Sequence, residues 1–266
     1  ANLVVLSAGS LMSPSILVRS GIGAKKQVES LGIESVADMP GVGENLSDHP
    51  ALGVVCQVKD PSLIDFDQPI IQTILRYTAE DGLKRNDLQI EQISFAGRAS
   101  GAPMFMLAPV LEYQYGRGRL RVTSADPQKG PSIENRFCED PRDASRLAQC
   151  MQDTLAFTQT GALADMIEAV TFPDLSRGIA REDLEKLCRK FSGSGYHPCG
   201  TAKMGPTDDV MAVVDHKGRC HKVAQLVVAD ASIMPSVPRA NTNLTCFMIG
   251  EKIGEWIRTN KGDYGL

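Results

Sequence analysis

Two short apolar runs near opposite ends of the chain limit its fold more than any other feature. Residues 2–8 run into Ala8-Gly9-Ser10, and residues 226–229 run into Asp230-Ala231-Ser232. Runs without polar alternation predict strands buried on both faces, as in parallel α/β sheets. The small residues that follow let a ligand approach the backbone, and ligands of open α/β sheets sit at that carboxyl edge. The first run leads through Pro14 into a helix that Gly21-Ile22-Gly23 stops. The second leads to a predicted helix over 243–258, with Phe247, Ile249, Ile253, Trp256 and Ile257 as its apolar face.

Between these α/β ends the pattern changes. Residues 41–49, Gly41 to His49, are too glycine-rich and polar for an element interior and read as an ordered loop. Alternation predicts a strand over 52–58, and apolar spacing a helix over 64–77 despite Pro69. Strands are expected over 104–113, 118–123 and 131–135, and a long helix over 140–161, with Asp140 as N-cap and Pro141 at its first position. A further helix is predicted over 181–191, and Ser192-Gly193-Ser194-Gly195 reads as a flexible joint. Strands followed by helices describe an α+β domain inserted into an α/β one.

Composition excludes some partners. The formal net charge of -4 is scattered, with no basic stripe for nucleic acid. No apolar run reaches the roughly 18 residues of a membrane-spanning helix, because Arg19, Gln57 and Arg76 interrupt the best candidates. Seven cysteines, an odd number at sparse spacing, point to a reducing compartment and a cytoplasmic location. The chain begins inside a predicted strand and without Met, which leads us to expect one piece of a longer or split protein.

Three blocks in order resemble the glucose-methanol-choline (GMC) oxidoreductase family. Residues 9–23 and the Gly41 to His49 stretch look like its second signature and the GVGxNLxDH motif that follows. Tyr196-His197-Pro198-Cys199-Gly200-Thr201-Ala202-Lys203-Met204-Gly205 resembles the HPxGTxxMG active-site block. Residues 228–235 and Asn241-Thr242-Asn243 are similar to the C-terminal flavin block. The resemblance implies an α/β, Rossmann-like FAD-binding portion made of 1–50 and 194–266, with an α+β substrate domain on an antiparallel sheet over 51–193. The family's GxGxxG turn occurs nowhere in these residues, and Gly41-Val42-Gly43 is followed by Leu46, not Gly. A complementary N-terminal chain or fragment carrying that motif is therefore the expected partner.

Oxidising an alcohol by hydride transfer to flavin N5 needs the hydroxyl proton removed, and a positioned imidazole suits this at neutral pH. The resemblance assigns that base to His197, and the second polar position to Asn241, which can donate to an alkoxide. The plainer reading of Asn241 is a cap on the last helix. The resemblance also places Tyr196, His197, Asp230, Ala231, Asn241 and Thr242 against FAD, with Ala8 and Asn45 as further candidates. His216, Cys220 and His221 match no zinc spacing, so no metal site is expected. Cys199 is expected to wall the pocket and His49 to be a structural hydrogen-bonding residue.

The substrate implied is a small alcohol, with Phe95, Met104, Phe105 and Met106 hinting at an apolar pocket for a primary or aromatic one. Two other readings stay open: a flavin-containing hydroxynitrile lyase of the same fold, and a non-catalytic binding module.

Overall fold

The computed structural model describes residues 2–82, 84–96, 102–174 and 180–266. The chain divides into two compact units. One consists of the chain up to Asp48, Arg117–Arg136 and Tyr196–Leu266; the other of His49–Gly116 and Phe137–Gly195.

In the first unit, β1 (Val4–Leu6) and β13 (Leu226–Val228) pair in parallel, Val4 with Leu226 and Leu6 with Val228. Each strand ends in a turn leading to a helical segment. Gly9 begins α1 (Gly9–Arg19), and Asp230 caps a short 3-10 helix at Ala231–Ile233, its side chain accepting from Ser232 N. Two further strands, β2 (Ile22–Gly23) and β3 (Ala37–Asp38), pair in parallel around α2 (Lys25–Ser30). Val227 and Val228 are buried as expected. The first run departs from expectation: Val4 and Val5 are 51% and 46% exposed, because β13 covers only one edge of this two-stranded sheet.

The hairpin of β9 (Arg119–Arg121) and β10 (Ser132–Glu134) also belongs to the first unit. Expectation placed it within 51–193. The loop at Gly41 claims it: Leu120 N donates to Gly43 O, and Leu46 and Gly118 exchange backbone hydrogen bonds. Gly43 has φ +83°, and a Cβ there would lie 2.5 Å from Leu120 O.

The second unit is built on an antiparallel sheet. β8 (Met104–Leu111) runs through its middle, with β7 (Leu88–Ala96) and then β6 (Ile71–Tyr77) on one side. On the other side lie β4 (Pro50–Ala51) and β5 (Val54–Val58), flanked in turn by β12 (Gly193–Ser194) and β11 (Ile167–Phe172). β5 shows the predicted alternation, with Val54, Cys56 and Val58 buried. The expected helix over 64–77 is instead β6: Ile71, Thr73 and Ile74 are β-branched, and the segment pairs as a hairpin with β7. The expected joint at 192–195 is likewise ordered, with Gly193 and Ser194 paired to Ala51 and Pro50.

α3 (Pro141–Phe157) starts as predicted, with Asp140 accepting from Arg142 N and Pro141 at the first position. It ends at Phe157, and Gly161, at φ +53°, opens the separate α4 (Gly161–Met166). The buried face of α3, with Leu147, Cys150 and Met151, packs with Leu88, Leu107 and Leu111 of the sheet and with Leu184 and Cys188 of α5 (Arg181–Phe191). Phe105 lies in this core and also borders a small cavity with Ile64, Gln92 and Leu163, whereas Phe95 is buried against Phe66.

Candidate active site

The site in the first unit grows from the carboxyl ends of β1 and β13. Asp230, just past β13, turns its carboxylate across 221 residues of sequence to accept from Gly9 N at 2.9 Å and from Ser13 Oγ, at the first turn of α1. A carboxylate there suits the partial positive charge of the helix start. Its other oxygen accepts from Ser232 N at 2.8 Å. The side chain is thus spent on joining two strand-to-helix corners, and only its backbone is left for a ligand. Ala8 N donates to Ser13 Oγ at 3.0 Å. Gly9 has φ +81° with open space where a Cβ would stand.

The segment 196–204 lies along the second corner. Gly200 N, Ala202 N and Met204 N donate to the carbonyls of Ala231, Ser232 and Ile233 at 3.1, 2.8 and 2.7 Å. The other side of the segment is held by the Gly41 loop. Ser47 and Cys199 exchange backbone hydrogen bonds, Asp48 Oδ1 accepts from His197 N at 2.9 Å, and Asn45 Nδ2 donates to Gly200 O and Pro235 O at 3.1 Å each. Arg117 Nε donates in turn to Asn45 Oδ1 at 3.2 Å. Asn45 therefore staples the site with its side chain. Gly200, at φ +88°, has no room for a side chain, since a Cβ would lie 2.6 Å from Asn45 O.

His197 is partly buried and follows Tyr196, which is 90% exposed and left-handed at φ +65°. The imidazole meets Asn241: the amide Nδ2 lies 3.2 Å from His197 Nε2. With the amide donating, Nε2 is the acceptor, the role in which it can also receive a proton. Asn241 is not the helix cap of the plainer reading. α6 (Asn243–Thr259) is preceded by Thr242 at the N-cap position, and Thr242 makes no side-chain capping bond.

Of the predicted residues, the structure brings His197 and Asn241 into contact and gathers Ala8, Asp230 and Ala231 at the adjoining strand ends. Cys199 is fully buried in the core, its thiol pushed up to about 12 by burial, so it walls no pocket. His49 is buried in the second unit with Nε2 3.7 Å from Glu112 Oε2. Among the former metal candidates, His221 Nε2 lies 3.0 Å from Gly205 O, Cys220 packs on Met39, and His216 meets the Trp256 ring edge-on. Asp48 and Ser13 stand inside the family-like motifs without an assigned task, and Arg117 stands outside them. No local pattern announces them, since their partners lie 149, 217 and 72 residues away.

Two sequence models described as GMC oxidoreductase match residues 1–51 and 114–250. A 5-(hydroxymethyl)furfural oxidase from Methylovorus sp. (strain MP688) is 35% identical over 97% of this chain, which covers 51% of that protein. Choline oxidase from Arthrobacter globiformis is 34% identical over 97% of the chain and 49% of its own length. Among solved structures, pyridoxine 4-oxidase from Mesorbium loti superposes with a TM-score of 0.86 at 24% identity, over 96% of this chain and 51% of the other. The chain thus spans about half the length of the curated relatives it matches. Among the described residues no helix is long and apolar enough to cross a membrane.

Proposed function

The chain belongs to the GMC oxidoreductase family, and from that premise we propose that it carries the base of an FAD-dependent enzyme oxidising a small alcohol to an aldehyde or ketone. The observation that carries this reading is the 3.2 Å approach of Asn241 Nδ2 to His197 Nε2. One acceptor and one donor at that spacing can both reach a single oxygen at normal hydrogen-bond length. Nε2 takes the hydroxyl proton, and the amide N–H holds the oxygen as it gains negative charge. General base catalysis of this kind is worth roughly 10²–10⁴-fold.

The residues present fit FAD on one side. The hydroxyls of Ser10 and Ser232, buried beside the two strand ends, have no hydrogen-bond partner among the described residues. The first turn of α6 is uncapped by Thr242, which leaves N–H donors for an anionic or electron-rich edge. Ala8, Ala231, Tyr196, His197, Asn241 and Thr242 would line the cofactor, while Asp230 and Asn45 would shape the corner through the bonds described above. Bound FAD supplies the hydride acceptor.

The other side requires a complementary N-terminal part bearing a GxGxxG turn, whether on a longer chain or on a second one. Exposed apolar surface supports this: Val4 and Val5 on β1, Met12 and Ile16 on α1, and Leu244, Phe247 and Met248 on α6. A two-stranded parallel sheet also needs further strands to stand in water. The cytoplasm remains the proposed location.

Anaerobic addition of alcohols to the purified holoenzyme tests the reaction. Bleaching of the flavin band is expected; cleavage of a cyanohydrin without bleaching would favour the lyase reading instead. Intact mass and a visible spectrum of the native material test the partner. Stoichiometric flavin on this 266-residue chain alone would remove the need for one. The relatives' names support a small hydroxymethyl or choline-like alcohol as the first substrates to try.

A further inference from the structure

The loop at 45–48 grips the segment 197–200 by four hydrogen bonds: His197 N to Asp48 Oδ1, the Ser47–Cys199 backbone pair, and Asn45 Nδ2 to Gly200 O. The first of these holds the peptide that joins Tyr196 to His197. Tyr196 sits at φ +65°, a conformation that non-glycine residues keep only where the surroundings impose it. Tyr196 is 90% exposed, so burial in the core does not impose it. Asp48 is 1% exposed, so water does not compete for the acceptor that His197 N reaches. A backbone N–H bonded to a buried carboxylate is held more firmly than one bonded to a neutral oxygen.

We propose that Asp48 is a positioning residue for the base: by fixing the peptide between Tyr196 and His197, it holds the left-handed turn that aims the imidazole at Asn241. The proposal rests on the reading of His197 as base. Without the bond, the turn relaxes toward the right-handed region, and the ring leaves the place where one oxygen can meet both Nε2 and the Asn241 amide. Misplacement of a reacting group by about 1 Å costs on the order of 10²-fold.

The test uses the flavin-loaded, full-length enzyme or complex, with Asp48→Ala and Asp48→Asn. Asparagine keeps a side-chain oxygen that accepts from His197 N, whereas alanine removes it. Two measurements are made: kcat and KM for the alcohol, and hydrogen exchange of the His197 amide. For Asp48→Ala we expect kcat to fall roughly 10- to 100-fold with KM within about twofold, and the His197 amide to exchange at least about tenfold faster. Asp48→Asn should recover both to within about fivefold of the parent. The proposal is overturned if the His197 amide stays protected in Asp48→Ala, or if kcat there is unchanged. It is equally overturned if Asp48→Asn keeps the amide protected and the flavin bound yet loses as much kcat as His197→Ala. That last comparison also works if the alanine variant fails to fold. An active His197→Ala enzyme would sink the base assignment alone, since the exchange result would still report whether Asp48 holds the turn.

Discussion

Asn241 Nδ2 approaches His197 Nε2 to 3.2 Å across 44 residues of sequence, and the two side chains reach each other from different supports. His197 stands on a segment bonded on one side to residues 231–233 and on the other to the Gly41 loop. Asn241 stands one residue before the N-cap of α6. Replacing His197 by Ala should slow anaerobic flavin reduction by roughly 10²–10⁴-fold. Asn241→Ala removes a donor but leaves the base, so a smaller loss is expected, on the order of tenfold.

Asn241→Asp carries a sharper expectation. A carboxylate within hydrogen-bond reach of the imidazole favours its protonated form and raises its pKa. A base must be unprotonated to act, so the acid limb of the kcat/KM profile should move to higher pH, by about one unit or more. An unmoved limb would mean that the titrating group in the profile is not His197.

Gly41 and Gly200 mark where backbones close on one another. A Cβ on Gly41 would stand 2.1 Å from Met211 O, and one on Gly200 2.6 Å from Asn45 O at a backbone φ of +88°. Each Gly→Ala variant should lose about 2 kcal/mol or more of stability, seen as a lower Tm. Gly254→Ala on α6, where a Cβ meets nothing within 4 Å, is the control. It should gain up to about 1 kcal/mol from helix propensity.

The exposed apolar side of α6 gives a prediction about assembly. Phe247 and Leu244 are 65% and 79% exposed. If this face receives the N-terminal part, Phe247→Glu should weaken flavin retention, read as free FAD released on gel filtration, with the second unit's melting unchanged. A charge placed on a naturally solvated surface would leave both unchanged.

What was legible in the sequence was what local pattern encodes. The Asp140-Pro141 start of α3, the whole of α5, and the apolar β13 followed from caps and periodicity. His197 and Asn241 stood in motifs. At β6 the spacing of Ile64, Ile71 and Leu75 satisfies a helical stripe, and what decides for a strand is pairing with β7, a tertiary fact. β7 was not predicted although Leu88, Gln89, Ile90 and Glu91 alternate as a strand does, and its polar groups form a cluster on the sheet that only the fold assembles. Gln89 Nε2 donates to Glu91 Oε1 at 2.6 Å, and Arg76 Nε to Gln89 Oε1 at 2.5 Å. The tasks of Asp48, Ser13 and Arg117 were hidden for the same reason.

That cluster ends in Glu112, which gives the last prediction. Glu112 is 1% exposed, and its Oε2 lies 3.7 Å from His49 Nε2 and 3.9 Å from Arg76 Nη2, with no hydrogen bond to it among the described residues. Burial raises its pKa from 4.5 to about 7, Arg76 opposing and Glu91 adding to the rise. A carboxyl whose folded pKa lies above its unfolded one binds its proton more tightly in the fold. The resulting stability is fully present below about pH 4.5, is lost as pH rises toward about 7, and changes no further above it. The whole span is on the order of 3 kcal/mol. Glu112→Gln cannot ionise and so keeps the neutral form at every pH. Urea midpoints of variant and parent should coincide near pH 4.5 and separate between pH 5 and 7. Above pH 7 the variant should be the more stable by a constant amount of up to about 3 kcal/mol. A variant that is less stable at pH 8 would show instead that the ionised carboxylate is held by Arg76 and a charged His49, which would make Glu112 an anchor of the sheet and not a strained guest in it.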